Sequence, residues 1–206
     1  MNHYCSKCKT DISVEEYEYS MNNFEAALCR EHQKEFPEQS DNIGLFEKEN
    51  MIKGRIAEAL IEELFLFLGY NVFRYGMENT VPGVMKLLRG VRSDVANNIR
   101  RMPDLVIQHP KTKDVYFIEV KFRASEEFSI NDLKKYYPNE DYPYENCYFV
   151  IVSKKHIKCI SYLELKRGDK ITSSSKNYLY NRKEFDLDEK VIIGFCKFAA
   201  KFFENV

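Results

Sequence analysis

With 206 residues, 44% of them hydrophobic and 31% charged, the chain has the composition of a globular protein with one fair-sized domain and a small appendage, and disorder is not expected to dominate. A net charge of −1 argues against a strongly basic nucleic-acid binder, and no apolar run approaches the ~20 residues needed to span a bilayer. The first residues, Met1 to Cys8, lack the apolar core of a secretory signal, so the expectation is a cytoplasmic, intracellular protein with no membrane role.

Six cysteines in a reducing compartment point to metal before disulfides. Cys5 and Cys8 form one pair with two residues between them; Cys29 and His32 form another, twenty residues further on. Four soft or borderline ligands in this spacing suit tetrahedral Zn²⁺, with every position filled and no open catalytic site. Residues 17–28 are predicted to form a hairpin and residues 29–36 a helix. Knuckle, hairpin and helix together resemble a treble-clef zinc finger, over residues 1–40. The bland alternative is three buried reduced cysteines and an exposed histidine, and His3 is a less regular competing ligand. A module this small buries little core, so zinc would supply most of its folding free energy. Residues 1–45 hold four Lys/Arg against nine Asp/Glu, which weighs against DNA contact here and leaves the remainder net +4.

Residues 37–42 have linker composition. From 47 to 70 apolar residues recur at helical spacing (Met51, Ile52, Ile56, Leu60, Leu64, Phe65, Leu68) and Gly69 supplies a stop, predicting a long core helix. Residues 71–75 read as a strand, and the basic segment 84–101 as partly helical. After a hairpin over 102–121 come a short helix at 129–137, a buried strand at 147–152, another strand at 158–165, a loop at 173–175 and a closing helix or strand-helix at 191–203. Cys147, Cys159 and Cys196 lie in apolar contexts and read as packing residues. The basic groups Lys86, Arg89, Arg92, Arg100 and Arg101, then Lys154, Lys155 and Lys158, then Lys166, Arg167 and Lys170, either line a phosphate-contacting surface or are solvated faces.

The hairpin is the most informative stretch. Met102 to Ile107 and Tyr116 to Lys121 are rich in β-branched and aromatic residues, and 109–114 between them has turn composition. If Gln108 pairs with Val115, counting outward sets Asp104 opposite Glu119. Two carboxylates would then share a face at ~5 Å between Cβ atoms, where like charges destabilise a sheet. Alternation puts Lys121 on that face too. Such a cluster calls for a cation.

Pro103-Asp104, the hairpin and Glu119-Val120-Lys121 resemble the PD-(D/E)XK nuclease superfamily, shared by restriction enzymes, Holliday-junction resolvases and many repair nucleases. The upstream Gly54-Arg55-Ile56-Ala57-Glu58 matches the helix glutamate of that superfamily, with Glu62 one turn away. The resemblance implies an α/β fold: a restriction-endonuclease-like αβββαβ core over residues 45–206, preceded by the small N-terminal zinc-binding module. It also implies Asp104, Glu119 and the Val120 carbonyl as ligands of Mg²⁺ or Mn²⁺, Lys121 orienting the attacking water, and Glu58 reaching the same site. Arg123, Lys134 and Lys135 would be candidates for substrate contact.

The resulting expectation is a metal-dependent nuclease that hydrolyses phosphodiester bonds in DNA. Its catalytic set would be Glu58, Asp104, Glu119 and Lys121, and a homodimer is compatible with cutting both strands. The rival readings are a catalytically silent nuclease-fold protein that binds nucleic acid or docks a partner, and a structural zinc adaptor.

Overall fold

A computed structural model describes residues 3–24, 26–34, 40–76, 95, 99, 101–134 and 142–204, without the side chains of 22, 23 and 40–47. Contacts divide the chain into two compact units, Met1–Asn50 and Met51–Val206. Among the described residues no helix is long and apolar enough to cross a membrane.

The first unit opens on a two-stranded antiparallel ribbon, β1 (His3–Tyr4) and β2 (Asp11–Ile12), then α1 (Val14–Phe24) and α2 (Arg30–Gln33). The hairpin expected at 17–28 is therefore helical over its first half. Ser13 explains why: its Oγ accepts the Glu16 N–H at 3.1 Å, an N-terminal cap that starts α1. Cys5, Ile12 and Leu28 form a small core with Tyr17 and Phe24 against it. Buried Ser20 ties α1 to the following turn, donating to the Ala26 carbonyl (2.6 Å) and accepting from the Leu28 N–H (2.8 Å).

The long helix α3 runs Ser40–Phe67. Its start takes in part of the expected linker, because Ser, Asp and Asn favour helix N-termini as well as loops. Met51 and Ile52, expected in the core, are half exposed; the buried stripe begins near Ile56 and continues through Ala57, Leu60, Ile61, Leu64 and Phe65. Gly69 ends the helix with φ +81°, and the Gly69 N–H to Leu66 and Tyr70 N–H to Phe65 bonds complete a Schellman stop. A side chain at position 69 would strain this left-handed turn.

The second unit is built on a five-stranded sheet in spatial order β3 (Asn71–Arg74), β4 (Leu105–Gln108), β5 (Val115–Phe122), β6 (Cys147–Val152), β7 (Ile157–Ser161). All neighbours are antiparallel except β5 and β6, which are parallel and joined through α4 (Ile130–Lys134). A parallel pair needs such a crossover, and it leaves β5 central in the sheet. The basic segment 84–101 lies outside the described residues, apart from helical Val95 and Ile99 and the turn residue Arg101.

Period-two alternation divides the sheet's side chains between two cores. Leu105, Ile107, Ile118, Val120, Val150, Val152, Ile157 and Cys159 pack with α3 and with α6 (Glu189–Phe203). Phe149, Ile151 and Ile160 on the other face pack with Phe128, Leu133, Tyr162 and Leu165. A fully buried side chain of this size contributes ~1.5–3 kcal/mol, so the two cores supply the main driving force. The strand expected at 158–165 ends at Ser161. Tyr162–Lys166 is helix α5, opened by a capping box in which Ser161 and Glu164 satisfy each other's backbone N–H. Arg182, between two short 3₁₀ turns, donates to the Cys159 carbonyl (2.7 Å) and to Glu164 Oε2 (2.6 Å), clamping β7 to α5.

Candidate metal centres

In the first unit the β1–β2 connection is a knuckle: the Cys5 N–H donates to the Thr10 carbonyl and the Lys9 N–H to the Cys5 carbonyl, with Lys9 at φ +63°. Cys29 is the N-cap residue of α2, so His32 lies in that helix's first turn. Glu16 of α1 accepts the Arg30 N–H at 2.8 Å and so holds the start of α2 in place.

One ligand atom from each of Cys5, Cys8, Cys29 and His32 lies within 4.8 Å of the others. Cys8 and Cys29 sulfurs are 3.7 Å apart, and His32 Nδ1 is 3.6 Å from the Cys5 sulfur and 3.1 Å from that of Cys29. A tetrahedral zinc at ordinary bond lengths implies edges of about 3.8 Å between sulfurs and about 3.6 Å between sulfur and nitrogen, so the donor set fits a structural metal such as zinc. Burial penalises the Cys5 thiolate, but backbone N–H groups of Cys8, Cys29 and Lys7 outweigh it and lower the thiol to about 6. At Cys29 the His32 N–H lowers the thiol, yet burial and the neighbouring Cys8 and Cys5 leave it raised. His3 does not join the four: its ring stacks on Tyr17 at 3.9 Å.

In the second unit the strand pairs run from Gln108↔Val115 to Leu105↔Ile118, which leaves Asp104 one step beyond the ladder on the Glu119 side. Its backbone carbonyl accepts the Tyr75 N–H at 2.9 Å, extending the β3 contact past the strand end. The side chain, 5% exposed, turns across to β5, where Oδ2 accepts the Val120 N–H at 2.7 Å. Glu119 and Lys121 flank that N–H in sequence and meet each other, with Lys121 Nζ 2.5 Å from Glu119 Oε1. Alternation thus gives Val120's side chain to the core under α3 and α6 and its two neighbours to the opposite face, where both are partly buried.

Burial and the charge of Glu119 push the Asp104 carboxyl well above the ordinary range, with Glu58 adding to the effect; Lys121 and the Val120 N–H offset only part. Burial works against the Lys121 ammonium, but Glu119, Asp104 and Glu58 outweigh it and hold the group protonated. Glu58 on α3 therefore acts electrostatically on both residues. It lines a cleft of about 200 Å³ with Arg55, Glu62, Arg74 and Leu105. Glu62, the neighbouring acid on the same helix, is engaged by Arg74, which donates from Nε at 2.9 Å and from Nη2 at 2.5 Å. Three carboxylates against one ammonium leave an excess of negative charge that a divalent cation or a proton on Asp104 can relieve.

Among the basic residues singled out by sequence, Lys158 is not on a phosphate-facing surface. It is 1% exposed, 2.9 Å from Glu126 Oε2, and donates to the Thr172 (2.7 Å) and Ser173 (2.9 Å) carbonyls. Burial of an alternate strand residue forced that pairing. Lys166 and Arg167 follow β7 at the sheet end opposite Asp104. Arg123, just past β5, donates to the Phe122 carbonyl and lies over the Phe128 ring. Lys134 is exposed, and Lys135 lies outside the described residues. Cys147 and Cys159 are buried as expected, with burial pushing the Cys159 thiol up to about 12.

Sequence reasoning missed the cluster of Glu126, Ser153, His156 and Lys158. Glu126, at φ +58° and 6% exposed, accepts from Ser153 Oγ (3.0 Å) and meets His156 Nδ1 (2.9 Å). It ties the segment after β5 to the β6–β7 turn. Only a buried-charge count on β7 would have hinted at it. Compared with known proteins, the chain matches no family model, and no curated protein is significantly similar to it.

Proposed function

We propose that the second unit is a metal-dependent nuclease with a restriction-endonuclease-like core, cutting phosphodiester bonds in DNA. The observation that carries the reading is the convergence of Asp104, Glu119 and Lys121 on one face of β4 and β5, with Glu58 in electrostatic reach. The element order α3, β3, β4, β5, α4, β6 agrees with the αβββαβ core that Pro103-Asp104 and Glu119-Val120-Lys121 imply.

The donor set is hard oxygen, which suits Mg²⁺ or Mn²⁺. Asp104, Glu119 and the Val120 carbonyl would hold the ion, with Glu58 contributing directly or through water; the ion would lower the pKa of a bound water and neutralise phosphate charge. Lys121, paired with Glu119 at 2.5 Å, would donate hydrogen bonds at the reacting phosphate and stabilise negative charge there. Asp104, charged only at a cost when no cation is near, is poised for one. In the first unit Cys5, Cys8, Cys29 and His32 would bind a structural Zn²⁺.

The test is cleavage of labelled plasmid, linear duplex, branched, single-stranded and RNA substrates with Mg²⁺ or Mn²⁺, for wild type, Asp104→Asn and Lys121→Ala. Cutting that requires the ion and vanishes in both variants supports the reading. Absence of cutting with binding intact would leave a silent nuclease-fold binding protein.

A further inference from the structure

At the sheet end that carries Asp104 and the close of β5, a second feature lies two strands away. The pairs Phe122↔Val152 and Val152↔Ile157 put the end of β5, the end of β6 and the start of β7 at one level. Two strand spacings, about 10 Å in the plane of the sheet, separate β5 from β7, and Glu119 and Lys121 face the opposite side of the sheet from Ile118, Val120 and Ile157. Beside the start of β7, on the side packed by α6, is a cleft of about 360 Å³, within the size range of small-ligand sites.

Its walls differ in character. On one side are Tyr178 and Tyr180, their rings stacked at 5.2 Å and 10°, and on the other Ile193, Cys196 and Ala200 of α6. The rim carries Lys155, His156 and Lys197, and no acidic residue is among the described residues lining the cleft. The floor is held rigid: His156 is fastened to Glu126, and Lys158 lies beneath the Tyr178 ring at 5.7 Å. An aromatic wall, an apolar wall and a basic rim are complementary to a flat π-face carrying phosphate.

We infer that this cleft binds an unpaired nucleotide of a single-stranded segment, so that the substrate is nucleic acid with a single-stranded stretch that can reach the end of the sheet. The inference rests on the nuclease reading for the reaction, but not for the binding. Base stacking on the tyrosines holds the strand without sequence preference, and Lys155 and Lys197 contact its phosphates. A blunt duplex, whose bases are already stacked on each other, has no base to offer.

The experiment uses the full chain without divalent ion and measures fluorescence anisotropy of labelled oligothymidylate, oligouridylate and a blunt DNA duplex. The expected results are tighter binding of the single strands than of the duplex, and roughly tenfold loss of single-strand binding in Lys155→Glu/Lys197→Glu. Tyr180→Leu keeps an apolar side chain in the wall and is expected to weaken single-strand binding roughly tenfold, with the duplex little changed. A 5-iodouracil strand should photocross-link to Tyr178 or Tyr180. Single-strand binding that is absent in wild type, or unchanged in both variants with folding intact by circular dichroism, overturns the proposal even if cutting is observed. Strand binding that depends on these residues, in a protein that cuts nothing with Mn²⁺, upholds the cleft and overturns the nuclease reading alone.

Discussion

The Cys/His cluster of the first unit and the carboxylate cluster of the second bring chemically reactive side chains together in opposite ways. The four ligands of the first come from a knuckle and a helix start, so short-range turns bring them together, and the surrounding core is only Cys5, Ile12 and Leu28 with a few partners. The carboxylates of the second are set by a five-stranded sheet with a large core behind it, and they are placed against their own mutual repulsion. In the first case little core stands behind the cluster without an ion; in the second a large core holds the cluster together with or without one.

The sharpest way to break that comparison is chelation. Removing zinc, or Cys29→Ser, should unfold the first unit, since structural zinc supplies ~10–16 kcal/mol in small modules. Limited proteolysis should then cut first within Met1–Asn50, and a cleavage pattern indifferent to chelator would sink the structural-metal reading.

On the second unit, Asp104→Asn and Lys121→Ala should each lower metal-dependent cleavage by about a thousandfold, which is about 4 kcal/mol of barrier; the melting temperature should stay near wild type or rise for Asp104→Asn and fall for Lys121→Ala, which leaves the carboxylates without their ammonium. A variant that loses activity because it unfolds would not bear on the site.

A smaller effect of opposite sign concerns stability. Asp104 has a folded pKa above its unfolded value, so its favourable contribution is complete below about pH 4 and is lost as pH rises through the raised pKa. At neutral pH without divalent ion, Asp104→Asn should therefore stabilise the second unit, by about 1 kcal/mol, and the gain should fade on acidification. Mn²⁺ should raise the melting temperature of wild type and not of the variant. Calorimetry at two pH values, with and without Mn²⁺, reads all of this.

The smallest expected effect separates the two helix acids. Glu62 is engaged by half-exposed Arg74, so Glu62→Gln should cost less than ~1 kcal/mol and leave cleavage within a few fold, whereas Glu58→Gln should lower cleavage markedly. Equal effects would remove Glu58 from the site.

How much of this was legible in the chain depends on range. The hairpin register followed from turn composition at 109–114, and the pairing Gln108↔Val115 places Asp104 and Glu119 where alternation requires. Two helices were misread as strands, α1 within 17–28 and α5 within 158–165, and both carry the same overlooked signature. Ser13-x-x-Glu16 and Ser161-x-x-Glu164 each put a capping hydroxyl three residues before a glutamate. In both places the cap starts a helix where a strand was expected. Lys158 was misread for a different reason: its partner, Glu126, lies on another segment in a left-handed conformation that no local pattern announces. Met51 and Ile52 show that helical spacing alone overstates the buried stripe when a helix extends beyond the sheet it covers.

Strand β5 also sets how the chain can change length. From Phe117 to Lys121, odd-numbered side chains face the carboxylate side while Ile118 and Val120 enter the core. Inserting or deleting a single residue there exchanges the two sets, sending an acid and an ammonium into the core against α3 and α6 and apolar side chains into the carboxylate cluster. Frame and function would be lost in one step. The turn at 109–114, whose Lys113 already adopts φ +67°, can absorb such a change outside the ladder. Length variation in a population of such chains should therefore collect in that turn and be purged a few residues later.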